Sequence, residues 1–213
     1  MKVSMRFFFI LILLASASAV AQEDFSADIV NLKVASPFPT KIFVTKGKLR
    51  FQQQDRAGNP SSIMLVDLAA LTSVVLIPQQ HLYVKETKPQ IPGQGVAFFQ
   101  PTDAANACAA WQTIGELKGK CRKVGSEMAG GRDTLKYENI DADKTKSDIW
   151  IDPKLHFPIK WDDPVGAREL RNINQAPQPA DLFEIPAGYS RRNLNPPSAK
   201  TSPSGTSSNK PNP

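Results

Sequence analysis

Apolar and polar residues alternate without a break from Lys154 to Trp161. Leu155, Phe157, Ile159 and Trp161 fall on one side, and Lys154, His156, Pro158 and Lys160 on the other. A period of two is that of a half-buried β-strand, whose successive side chains point to opposite faces. Ile149 and Ile151 supply a shorter partner. Asp152-Pro153-Lys154 lies between them as a turn, with proline presetting φ at its second position. The stretch predicts a β-hairpin whose wide aromatic and aliphatic face needs an apolar surface to lie on.

The same reading extends along the chain. Phe25, Ala27 and Ile29 alternate, and then the phase slips to Val30, Leu32 and Val34, which suggests a bulge or a strand covered on both faces. Lys41 to Thr45 and Lys48 to Gln54 are the next strands, joined at Lys46-Gly47. Ile63-Met64-Leu65-Val66 and Val74-Val75-Leu76-Ile77 are apolar at every position; short β-branched runs of this kind fit strands covered on both faces. His81 to Lys85 alternates again. A Pro/Gly-rich excursion from Glu86 to Gln100 carries Val96, Phe98 and Phe99. Pro101-Thr102-Asp103 then opens a short helix to about Gln112, with Thr102 or Asp103 able to cap its free N–H groups and with Ala104, Cys108 and Trp111 on one face. That helix is the expected cover for the doubly apolar strands.

Lys120 to Met128 and Thr134 to Asn139 form a second hairpin about Ala129-Gly130-Gly131-Arg132, where glycines suit the positive φ of a tight turn. Ala167 to Asn174 is a last long strand, and Leu182 to Tyr189 closes the domain. From Ser190 to Pro213 the chain is mostly Ser, Pro, Asn, Lys and Arg with one leucine, Leu194, and no aromatic residue. Such a composition cannot bury enough surface to order itself.

Residues 1–21 read as a signal peptide: Lys2 and Arg6, an apolar run from Phe7 to Ala15, and Ala19-Val20-Ala21 as a cleavage site before Gln22. The run is shorter than the roughly 20 residues a bilayer requires, and no other stretch approaches that length. The chain is therefore expected to be periplasmic or secreted, without a transmembrane segment. A formal charge of +6 changes little once it is located. Lys2 and Arg6 lie in the leader, and Arg191, Arg192, Lys200 and Lys210 in the tail; residues 22–189 carry 20 basic and 20 acidic side chains. A nucleic-acid surface would need its basic patch on the folded part, so nucleic acid is not an expected partner. Cys108 and Cys121, an even count in an exported chain, point to a structural disulfide, with a free reactive thiol as the alternative.

No catalytic constellation is present. Asp162-Asp163 precedes a proline and reads as a turn, and His81 and His156 fall on the wet sides of their strands without a supporting acid. No serine sits in a nucleophile elbow. Gly93-Gln94-Gly95 and Gly130-Gly131 lack the strand-to-helix setting of a phosphate loop. No metal site, cofactor or enzymatic activity is expected. The apolar surplus is more informative. Met64, Val66, Val75, Ile77, Phe98, Phe99, Trp111, Trp150 and Trp161 are candidates for lining a ligand cavity, and the same residues would equally suit a filled core.

Several motifs fit together. Cys108 with Trp111, Cys121-Arg122-Lys123-Val124-Gly125, and Ala129-Gly130-Gly131-Arg132 are followed by Ile149-Trp150-Ile151-Asp152. Leu155-His156-Phe157-Pro158-Ile159-Lys160 and Leu182-Phe183-Glu184-Ile185-Pro186-Ala187-Gly188-Tyr189 complete the set. Together they resemble a family of uncharacterised bacterial envelope domains that is itself similar to the lipoprotein-carrier (LolA/LolB-like) superfamily. The resemblance implies a mainly β (α+β) fold: a curved antiparallel sheet of roughly ten or eleven strands, an incomplete β-barrel with one short covering helix, spanning residues 22–189. Members of that superfamily include periplasmic carriers that hold lipoprotein acyl chains, and the chain is expected to be a monomeric binding protein that shields a lipid or a lipoprotein acyl chain. An envelope module with a filled core, contacting a protein partner through its sheet edge or tail, is the alternative.

Overall fold

The computed structural model describes residues 23–34, 38–86, 90–91, 94–113 and 119–192. The expected signal peptide and residues 193–213 of the expected tail lie outside the described residues.

Two antiparallel meanders share one sheet. The first is β1 (Phe25–Asn31), β2 (Thr40–Thr45), β3 (Lys48–Gln54), β4 (Pro60–Asp67), β5 (Thr72–Ile77) and β6 (Leu82–Glu86). An insert follows, made of the small pair β7 (Gln90–Ile91) and β8 (Gln94–Gly95), a 3-10 turn at Val96–Phe99, and the helix α1 (Ala107–Thr113). The second meander is β9 (Lys120–Ala129), β10 (Arg132–Ile140), β11 (Lys146–Asp152), β12 (Phe157–Asp163) and β13 (Gly166–Gln175). β13 pairs back on β1, and β14 (Ser190–Arg191) adds parallel to β6. The result is a 12-stranded sheet in the order β14-β6-β5-β4-β3-β2-β1-β13-β12-β11-β10-β9. Its two end strands do not meet, so the curved sheet stays an open half-barrel.

The ladders assign each side chain to a face. Leu49 and Phe51 on β3 oppose Val66 and Met64 on β4, and Tyr137, Ile149 and Trp161 stand side by side across β10, β11 and β12. With Phe25, Ala27, Ile42, Val44, Phe157, Ile159 and Leu170 they form one continuous inner core. The phase slip in the first strand resolves as a bulge between Ser26 and Asp28, and Leu32 and Val34 lie past the strand's end, exposed. Further irregularities at Lys136/Tyr137 and Trp150/Ile151 bend the second meander, as bulges do.

Four expectations are corrected. Leu155 is fully buried but sits in a longer turn, because Asp152 Oδ1 accepts the N–H groups of Lys154 and Leu155 and holds the chain out of the ladder until Phe157. The helix begins at Ala107 rather than near Thr102, since Asp103 engages Ala105 N and Asn106 N in a preceding turn. It packs by Trp111 on Tyr137 at the β9–β10 end, whereas the outer face of β4 and β5 (Ile63, Leu65, Leu76) is covered by Tyr189 of the closing segment. Arg50, largely buried, ties that segment down by donating to Leu182 O while Gln52 Oε1 accepts from its other edge. Finally, Ser190 and Arg191 belong to the sheet, where their polar composition matters less than the free edge of β6.

Charges organise the outer face of the second meander. Glu138 lies between Lys146 and Arg122, and Lys136 between Glu127 and Asp148. Hydrogen bonds from Lys146 and Arg122 hold the Glu138 carboxyl below the usual carboxylate range. Burial pushes the Glu169 carboxyl up, but Arg171 and the Gly130 N–H more than offset this and its net shift is downward. A carboxyl depressed in the folded state stabilises above its unfolded pKa, about 4, and that contribution is lost as pH falls through the lower folded value. The melting temperature should hold between about pH 7 and 5, fall below about 4, and fall less steeply in Glu138→Gln. A decline of the same slope in that variant would remove Glu138 from the account.

Cys108 and Cys121 are bonded, closing a loop of 13 residues' separation between α1 and β9. On the chain-entropy account such a bond contributes about 3 kcal/mol. Reduction, or Cys108→Ser, should lower the melting temperature accordingly in thermal melts followed by circular dichroism. Identical melts with and without reductant would contradict this.

Candidate functional site: the covered inner face

The inner face is covered by aromatic rings from the insert. Phe98 stacks on Trp111 with centroids 5.6 Å apart, and meets Phe99 at 5.1 Å and Trp161 at 5.8 Å edge-on. Phe99 reaches Phe51 on one side and Phe157 and Trp161 on the other, at 5.6–5.7 Å. These separations and tilts are those in which ring quadrupoles attract. The insert is anchored at few points. Thr102 N donates to His156 O at 3.0 Å, Tyr137 Oη donates to Ala104 O, Gln112 Nε2 donates to Gly119 O at 3.2 Å, and the disulfide holds α1. Burial pushes the Tyr137 hydroxyl above the usual phenol value.

Of the nine candidate residues, Val66, Phe98, Phe99, Trp111 and Trp161 are buried together on this face. Met64, Val75 and Ile77 share the face at the β4–β5 end and remain partly exposed there. Trp150 belongs to the same buried cluster but stands on the other side of β11. Its neighbours Ile149 and Ile151 take the inner positions, so Trp150 faces outward, with Lys136 Nζ 4.6 Å and Lys160 Nζ 4.3 Å from its ring. Its indole also sits close to Glu127, and that attraction holds the Glu127 carboxyl low. The alternation of Ile149 and Ile151 is the signal that separates Trp150 from the rest. Phe51, Tyr137 and Phe157 complete the inner cluster. The first and last are legible from period two, whereas Tyr137 is placed only by the hairpin's register.

The polar inventory of this face is small. The Nε1 atoms of Trp111 and Trp161 are shut off from solvent without a hydrogen-bond partner. An indole donor left so costs about 1–3 kcal/mol. Asp163 caps its own turn by accepting from Val165 N and Gly166 N, and Asp162 pairs with Lys33 at 2.8 Å. His81 packs on Tyr189, far in the fold from His156. Among the described residues no group of three or more His, Cys, Asp and Glu is placed to hold a metal ion. Again among them, no helix is long and apolar enough to cross a membrane.

Trp111→Ala should cost about 3–5 kcal/mol in urea unfolding, the range for removing a large buried aromatic ring. A loss under about 1 kcal/mol would mean that the insert does not fill the inner face as described.

No family model and no curated protein matches the chain. Solved structures that align with the chain include an uncharacterised conserved protein from Thermus thermophilus, at 9% identity over 80% of this chain and 91% of that one, TM-score 0.49. MucB is similar at 17% identity over 80% of this chain and 60% of its own, TM-score 0.48. A putative outer membrane lipoprotein-sorting protein domain from Vibrio parahaemolyticus aligns at 17% identity over 68% and 66%, TM-score 0.29.

Proposed function

We propose that this chain is an exported, non-catalytic binding protein that shields a lipid or acyl chain against the inner face of its half-barrel. The observation that carries the reading is the unequal cover of that face. Phe98, Phe99 and Trp111 close it over β9–β13 and β1–β3, while Met64, Val75 and Ile77 continue the same apolar surface, partly exposed, at the β4–β5 end. An alkyl chain laid along these side chains would gain about 25 cal/mol per Å2 of buried apolar area, before association costs. The few polar groups nearby suit a ligand recognised by shape and hydrophobicity. The leader-like residues 1–21 support export to the periplasm or beyond.

A second reading has its own observation. Val66, Phe98, Phe99, Trp111 and Trp161 are each at most 4% exposed, packed on one another as in a filled core. An envelope interaction module would be built that way.

Native mass spectrometry of protein purified from cells should show an apolar adduct, and a fluorescent fatty acid should bind with loss of affinity in Val75→Asp and Ile77→Asp. No adduct together with no probe binding sinks the carrier reading and leaves the filled-core module.

A further inference from the structure

β1 outruns β2. Their ladder ends at Ile29–Thr40, whereas β1 stays paired to β13 as far as Asn31–Arg168. A cleft of about 690 Å3 lies beside this overhang, lined from residues 29–33, from Phe38, Pro39 and Thr40, and from Arg168 and Arg171. Its lining is mixed: Ile29, Leu32 and Phe38 are apolar, and Lys33, Arg168 and Arg171 are cationic, with Arg168 on the Trp161 side of β13 and Arg171 on the Glu169 side. Leu32 and Phe38 are 40% and 37% exposed, so the apolar part of the lining keeps surface that a ligand could cover.

The three cations are not equivalent. Lys33 Nζ is paired with Asp162 and Arg171 Nε with Glu169, each at 2.8 Å. Asp28, the next acid along β1, is engaged by Lys41 and Asn172. Arg168 differs: its Nη1 is cut off from solvent and meets no acceptor. A guanidinium stays charged at every physiological pH and presents a planar fork of donors suited to two oxygens of one carboxylate or phosphate. A small anion alone would satisfy the fork and leave the apolar residues bare. A neutral alkyl compound would cover those residues and leave the charge unmet. Only a molecule with both parts answers both features.

We propose that this cleft binds an anionic amphiphile, a single alkyl chain with a carboxylate or phosphate head, the head on Arg168 and the chain along Leu32 and Phe38. The cleft lies at the β1–β13 junction, away from Met64, Val75 and Ile77, so it stands or falls independently of the inner-face reading.

Isothermal titration of the full chain with decyl phosphate, inorganic phosphate and decanol tests this. Decyl phosphate should bind saturably and more weakly at high salt, with inorganic phosphate and decanol each weaker by about tenfold or more. Arg168→Gln should weaken decyl phosphate by about tenfold, the loss expected from one charged hydrogen bond, without lowering the melting temperature. Phe38→Ser, at an exposed position outside the core, should weaken decyl phosphate and leave inorganic phosphate unchanged. Absence of saturable binding, or binding unaltered by both variants, overturns the proposal. Inorganic phosphate as tight as decyl phosphate also overturns it, leaving an anion site only. Loss of decyl phosphate binding in Val75→Asp would place the probe on the inner face and remove the cleft from consideration.

Discussion

An open curved sheet with a continuous apolar inner surface has one problem that its strands cannot solve: something must cover that surface. β9 and β14 end the sheet without meeting, so closure on itself is not available. The cover is three rings, Phe98, Phe99 and Trp111, set on a short insert between the two meanders. Ring pairs of this geometry contribute about 0.5–1.5 kcal/mol each beyond the area they bury. α1, of seven residues, is too short to be stable alone. It persists because Trp111 is fully buried and because the disulfide ties it to β9. The fold of the insert and the closure of the core are thus one event.

The outer face is handled in two different ways. Over β3–β5 the closing segment lies on the sheet, pinned by Arg50 at Leu182 O and by Tyr189 against the small cluster of Ile63, Leu65 and Leu76. Over β10–β13 no layer is added among the described residues; Trp150 is roofed by the stems and charges of Lys136 and Lys160, with acids between them. Lysine does this well because its long apolar stem covers the ring while its ammonium stays wet. This explains how a tryptophan can be 4% exposed on the solvent side of a single sheet.

Both candidate binding regions follow from incomplete cover. At the β4–β5 end Met64, Val75 and Ile77 stay partly exposed, and at the β1–β13 junction the β1–β2 ladder stops short of Asn31. The first is apolar throughout; the second sets an unsatisfied guanidinium beside exposed Leu32 and Phe38. Capture is accordingly proposed to rest on burial in the first and on burial with charge in the second.

Much of this was readable from the chain alone, for a local reason. Period two reports which side chains share a face, so the strands of both meanders, the hairpin at Gly130-Gly131 (φ of 55° and 75°) and the inward set of Phe157, Ile159 and Trp161 could be placed without coordinates. The cysteine pairing followed from count and expected compartment. Other features depended on residues distant in sequence. Which layer covers the doubly apolar strands was decided by Tyr189 and Arg50 reaching across the fold, because an all-apolar run states only that both faces are covered and not by what. Trp150 was sent outward by register against Lys136 and Lys160. The orphaned Nη1 of Arg168 exists only where β1, β13 and the returning chain converge, and no pattern along a single strand encodes such a meeting.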